Sequence, residues 1–344
     1  MAMDNVAFVN NVRTLASDEF KNRIPVASKT NLQAVADAII EYPHAKNEFI
    51  NVLTNQVVKT IFMNKLYQNP FKFFKKGSLD YGKTIEMVFV DLIKAKDYKD
   101  RFGGATSDAD SLIKPEAVEN VKVNYISENF RHKYKITLND AQLKGAFRNP
   151  NGLSELVQRL VQAPLNSAEF DEFNIMKGLL SRIDTAKATI SGYAALEDDA
   201  KAKKLTKVVK AYVGKMKFLS DNFNAQGVHT FSMPSDLVIL VTPETQAMLD
   251  VELLASAFHM DKAQMQGRLV LIDEFMKYEG SDWVADEDTL AMIVDVDVIQ
   301  FYETLNTSGS FYNPETLSTN MFFHRWGVAG ACEFCNALKI QKGA

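Results

Sequence analysis

The sequence predicts an α+β fold organised around one long helix, and three observations carry that reading. From Asn166 to about Ile183, apolar side chains recur at Phe170, Phe173, Met176, Leu179, Leu180 and Ile183, the three-and-four spacing of a stripe packed on a core. The chain before it is rich in β-branched and aromatic residues that alternate with polar ones. The chain after it alternates short apolar strands with helices. A rod between two such textures reads as a scaffold rather than the wall of a pocket.

The 344 residues are 47% hydrophobic and carry a formal net charge of −4, enough apolar content for one large or two medium domains. That balance argues against disorder and implies no strong attraction to nucleic acid. No apolar run approaches a membrane span, and MAMDNVAFVNNVRTL lacks the basic-then-apolar order of a signal peptide. Two cysteines exclude a disulfide framework and fit a reducing cytoplasm.

In chain order, Arg23-Ile24-Pro25-Val26 reads as extended, because proline disfavours helix in the residue before it. Asn31 to Ile40 has helical spacing and should stop at Tyr42-Pro43. A firmer helix is expected from Asn47 to Tyr67, ended by Asn69-Pro70. Thr84 to Ile93 reads as a strand, and Val118 to Leu138 as one or two more. Val121, Val123 and Tyr125 alternate on one phase, then Phe130, His132, Tyr134 and Ile136 on the other, so a bulge is expected near Ser127. The polar connection Lys94 to Pro115 is long for a loop inside a domain, and such loops are usually functional. Two strands joined this way make a projecting hairpin, and neither it nor the N-terminal arm has an evident core of its own. Both ask for a neighbour.

Pro164 should separate the central helix from a shorter apolar segment, Leu153 to Leu160. Asn166 and Glu169 stand at capping-box spacing, and Lys177 and Arg182 near the far end suit the helix dipole. Lys201 to Leu219 reads as a basic amphipathic helix with a solvated lysine face. Strand Leu237 to Val241 leads into a helix capped by Thr242, with Pro243 at its first position, running to about Phe258. Leu269 to Ile272 and Leu290 to Val294 read as strands, Val298 to Leu305 as a short apolar segment. Thr319 to Ile340 is strand-like, anchored by Phe322, Phe323 and Trp326.

Several motifs imitate chemistry. Gly77-Ser-Leu-Asp-Tyr-Gly82-Lys83-Thr84 matches the phosphate-binding P-loop in form, and Asp273-Glu274 after an apolar strand resembles the acidic end of an ATPase strand. A P-loop needs a buried strand before it and a helix after it, whereas here lysines alternate with aromatics before and a strand follows. The glycines read better as a turn entering the hairpin. Cys332-Glu-Phe-Cys335 is a lone CxxC; on a strand its sulfurs would point to opposite faces, so two packed core thiols are expected. Asp295 and Asp297 read as solvated acids at a strand end rather than a metal pair. No catalytic, cofactor or metal site is assigned.

The order of these segments resembles the major capsid proteins of tailed bacteriophages, the Hong Kong 97-type fold, closest in texture to those of small short-tailed phages (podoviruses). The resemblance rests on NPFKFFKKGSLDYGKTIEMVFVDLIKAKDY as the first arm of an extended loop and on the central helix as a spine. MPSDLVILVTPETQAMLDVELLASAFHMD with GRLVLIDEF would belong to an axial domain, and NMFFHRWGVAGACEFCNAL would be the returning peripheral strand. It implies an N-terminal arm and helix at 1–70, an extended loop hairpin at 71–138, a peripheral domain at 139–200 and 306–344 with spine helix 166–183, and an axial domain at 201–305. No added immunoglobulin-like domain, which some relatives carry, is identified. The implied function is non-enzymatic: self-assembly into hexamers and pentamers of an icosahedral head enclosing double-stranded DNA. Scaffolding and portal proteins would be partners, the DNA would be touched only non-specifically, no membrane is involved, and assembly would occur in the host cytoplasm. The loop would present Lys94, Lys96, Tyr98, Arg101, Phe102, Asp108 and Asp110 to neighbouring subunits. A cellular nanocompartment shell of the same fold is the alternative, and a P-loop ATPase a distant one.

Overall fold

A computed structural model describes residues 5–60, 67–80, 82–93, 121–148, 152–183, 186–249, 268–279 and 282–343. Its first helices are α1 (Asn5–Leu15), α2 (Asp18–Arg23), α3 (Leu32–Glu41) and α4 (Pro43–Thr60). The expectation of an N-terminal arm without a core does not hold. Phe8, Val9 and Val12 of α1, Phe20 of α2, Val35 and Ile39 of α3, and Phe49 and Ile50 of α4 are buried in one cluster with Phe147, Met321 and Phe323. α1 and α3 each carry an apolar stripe, which is worth more against that cluster than in water.

Polar groups fix the connections between these helices. The Ser17 hydroxyl caps α2 by accepting from the Phe20 amide at 3.2 Å, and Arg13 donates to the Lys21 and Ile24 carbonyls at 2.8 Å each. Asn10 exchanges two 2.9 Å hydrogen bonds with the backbone of Ala27. Pro43, expected only as a stop, also opens α4 ahead of the expected start at Asn47, since proline suits a first helical position. The expected end of that helix near Tyr67 follows residues 61–66, which lie outside the described ones.

After α5 (Asp140–Arg148), the central helix α6 runs unbroken from Gly152 to Arg182, 31 residues or about 46 Å. Pro164 therefore does not separate two segments. It removes one helical hydrogen bond, but the helix is held on both sides of it. Leu153 packs among the N-terminal helices, while Phe173, Met176, Leu180 and Ile183 pack in a second core.

The strands are β1 (Lys75–Ser78), β2 (Ile85–Val90), β3 (Val121–Ile126), β4 (Phe130–Asn139), β5 (Ala186–Ile190), β6 (Leu237–Val241) and β7 (Leu269–Leu271). They continue with β8 (Met276–Glu279), β9 (Asp282–Ala285), β10 (Thr289–Asp295), β11 (Ile299–Asn313), β12 (Ser318–Ala331) and β13 (Ala337–Lys342). One sheet has the order β1-β11-β12-β4 and another β5-β13-β10-β6-β7; β2-β3 and β8-β9 form two-stranded ribbons. Segments 139–200 and 306–344 thus supply strands to both larger sheets. Val298 to Leu305 is not a short segment but the start of β11, whose length follows from continuous antiparallel pairing with β12. The phase shift near Ser127 is a change of sheet, not a bulge within a strand: β3 pairs with β2 and β4 with β12. Asn129 holds the crossing by accepting from the Ala329 amide at 3.0 Å.

Every residue of β6 is buried, and its alternation divides two cores. Leu237, Ile239 and Val241 face Leu205, Val209 and Val213 of α7 (Asp198–Met216), while Val238 and Leu240 face Phe173, Met176 and Leu180 of α6. Thr242 caps α8 (Pro243–Met248), accepting from the Thr245 amide at 3.4 Å. The expected continuation of α8 to Phe258 falls in 250–267, outside the described residues.

Candidate functional site

The chemistry-like motifs are taken up by local pairing. Gly77 and Gly82 have φ of 136° and 80°, conformations that favour glycine, and Thr84 leads into β2 rather than a helix. The Lys83 ammonium lies 2.5 Å from Asp80. Buried Lys177 lies 2.9 Å from Asp273 and 3.2 Å from Glu274, so that acidic pair already shares a cation. Asp297 is exposed, as the solvated reading expects, but Asp295 is half-buried; it accepts from the Ser232 hydroxyl at 2.6 Å, and burial raises its pKa. Among the described residues no group of three or more His, Cys, Asp or Glu is placed to hold a metal. Cys332 and Cys335 flank a turn closed by the Cys335 amide donating to the Cys332 carbonyl at 3.4 Å, so the opposite-faces argument fails. Both are free thiols packed in a small apolar cluster.

The β2–β3 ribbon is the feature left unsatisfied. Its register pairs Glu86 with Tyr125, Val88 with Val123 and Val90 with Val121 on one face. The opposite face puts Met87 and Phe89 against Val228, Cys332, Phe334 and Cys335, with the Phe89 and Phe334 rings stacked at 5.6 Å. The first face has no apolar cluster packed on it among the described residues. Val88 is 56% exposed, Val90 54%, Val121 45% and Val123 42%. Leu92 and Ile93 continue the exposed apolar surface toward the loop. Lone exposed apolar residues are ordinary, but a contiguous valine face on a two-stranded ribbon marks an interaction surface. The ribbon is tied down at its flank, where Asp91 accepts from the His229 ring at 3.1 Å and Lys122 donates to the Gln226 carbonyl at 2.5 Å.

The strand leading into the ribbon is braced by a buried charge cluster. Arg325 of β12 lies 2.6 Å from Glu172, 3.2 Å from Glu169 and 3.8 Å from Glu303. Lys75 of β1 contacts Glu172 directly and lies 3.3 Å from Glu169 and 3.6 Å from Glu303. Burial pushes the Glu172 carboxyl above its usual range against the pull of the two cations. Burial also pulls Lys75 down, but the three carboxylates outweigh it and its pKa is raised. Nearby, Tyr134 donates to Asp171 at 2.7 Å; burial and that bond raise its pKa. The cluster locks α6, β1, β11 and β12 to one another, so the ribbon springs from a rigid base.

Lys94, Lys96, Tyr98, Arg101, Phe102, Asp108 and Asp110 all fall within 94–120, outside the described residues. The outer valines were not among the expected contacts. Their signal was present in IEMVFV, where both phases of β2 are apolar although a two-stranded ribbon has only one face to bury.

The chain as a whole is similar to known proteins. The family model for the Phi29-like phage major capsid protein matches residues 9–341. The chain is 29% identical over 340 residues to the major capsid protein of Bacillus phage B103, covering 97% of this chain and 72% of that one. It is 32% identical over 313 residues to that of Bacillus phage GA-1, covering 87% and 61%. The capsid structure of Staphylococcus phage Andhra shares the fold, with a TM-score of 0.61 at 13% identity over 82% of this chain and 86% of that one. The chain belongs to the Phi29-like phage major capsid protein family, the shell-building proteins of tailed phages, and has their Hong Kong 97-like fold.

Proposed function

We propose that this protein builds an icosahedral head of hexamers and pentamers around double-stranded DNA, and that its role is structural rather than catalytic. The observation that carries the reading is the exposed valine face of the β2–β3 ribbon, which a second copy of the chain can cover. The loop 94–115, with Lys94, Lys96, Tyr98, Arg101, Phe102, Asp108 and Asp110, extends that contact over the neighbour. The sheet β1-β11-β12-β4 with α5 and α6 serves as the peripheral domain, and the sheet containing β6, β7 and β10 with α7 as the axial domain. Scaffolding and portal proteins assist assembly in the host cytoplasm. A mildly acidic subunit leaves the packaged DNA loosely held, since a strongly basic lining would trap a polyanion.

The test is electron microscopy of the expressed protein beside a variant lacking Arg101 to Ser111. The deleted segment is polar, so the subunit should keep its circular dichroism while shells fail or become fragile. Normal, stable shells from the deletion variant would overturn the loop's role, and monomers alone from the intact chain the whole reading. Enzyme cargo instead of DNA inside natural particles would point to a cellular nanocompartment.

A further inference from the structure

We propose that Cys332 and Cys335 form a reversible intrachain disulfide site, closed by exchange with a small-molecule disulfide and shielded by the β2–β3 ribbon. The turn they flank brings their Cα atoms within about 7 Å, at the edge of the span a disulfide bridges. Both side chains pack into the same small apolar cluster, with Val228 and Phe334. The neighbouring Cys335 side chain and the backbone of Phe334 and Cys335 hold the Cys332 pKa below the ordinary thiol value, whereas Cys332 and burial push Cys335 up. Cys332 is therefore the attacking thiolate and Cys335 the resolving thiol.

In the first step the Cys332 thiolate bonds to one sulfur of the small disulfide. The bond between that molecule's two sulfurs breaks, and one half leaves as a thiolate that takes up a proton. In the second, Cys335 gives its proton to water and attacks the Cys332 sulfur, expelling the other half, which is protonated in turn. Two protein thiols are oxidised and one disulfide is reduced to two thiols. Access limits the rate, because Cys332 is only 7% exposed and lies beneath Met87 and Phe89 of the ribbon.

The test exposes the folded protein to oxidised glutathione, then alkylates it and measures its mass. The expected result is loss of two hydrogens, a Cys332–Cys335 link in the peptide map, and reversal by dithiothreitol. Cys335→Ser should stop at a glutathione adduct on Cys332. Phe89→Ala, which thins the cover, should close the bridge several-fold faster. Circular dichroism of each variant establishes folding, and the wild-type result stands without them. Thiols that stay alkylatable in the folded protein, while the urea-unfolded chain closes the bridge, would overturn the proposal. So would links formed only between chains, and an unchanged rate in Phe89→Ala would overturn the shielding.

Discussion

Replacing Val88 with lysine and Val123 with glutamate should leave the subunit folded and cripple its assembly. The two residues sit directly opposite each other, so the new side chains form a cross-strand pair of opposite charge that supports the ribbon. With 56% and 42% of their surfaces exposed, they have roughly half their apolar area left to bury. Full burial of a valine is worth about 2 kcal/mol, so each forfeits about 1 kcal/mol at the contact. Losing both costs about 2 kcal/mol per interface, a roughly thirty-fold rise in the concentration needed for assembly. Desolvating the new charges adds to that figure. Light scattering against protein concentration measures the threshold, and urea unfolding checks that subunit stability changes by no more than about 0.5 kcal/mol. An unshifted threshold in a folded variant would refute the idea that this face is covered by a second copy.

Three further substitutions test the base beneath the ribbon. Arg325→Ala strands Glu172, which is 3% exposed, with a reduced set of cations; it should destabilise the subunit by about 3–5 kcal/mol in urea. At Gly327 an added Cβ meets the Tyr302 carbonyl oxygen and the Phe130 ring far inside contact distance, so Gly327→Ala should cost about 1–3 kcal/mol or more, measured by thermal melting. Tyr134 holds its proton in the folded state beyond the unfolded value of 10.0. The stability this contributes is full below that pH and is lost as pH rises through the folded pKa. Tyr134→Phe should therefore flatten the alkaline fall in stability, as read from denaturant melts across that range.

Much of the fold was legible because it rests on local rules. A short, wholly apolar run marked Leu237 to Val241, and Thr242-Pro243 marked the helix start. The three-and-four stripe marked the half of α6 that faces the second core from Phe173 to Ile183, though Phe170, expected in it, is exposed. What was hidden depends on distant partners. Nothing near Phe8 or Val12 says that Met321 and Phe323 complete their core, so the N-terminal helices read as an arm. Pro164 obeys the local rule against helix, and packing on either side overrides it. The outer valines show the converse limit. A valine awaiting another molecule has the same side chain as one already buried, and only the pairing of β2 with β3 alone reveals which it is.

The place of β13 in its sheet has a consequence for synthesis. β5 and β10 flank it, so β5 has no strand partner among the described residues until Ala337–Lys342 has been made. Ribosomes add roughly 5–20 residues per second, so β5 waits on the order of ten seconds after it emerges. Met321 and Phe323 impose a similar delay on the first helices. A nascent chain therefore lacks the finished base from which its ribbon projects until translation has passed these strands. The order of the strands thus acts as a timer on the subunit's own completion.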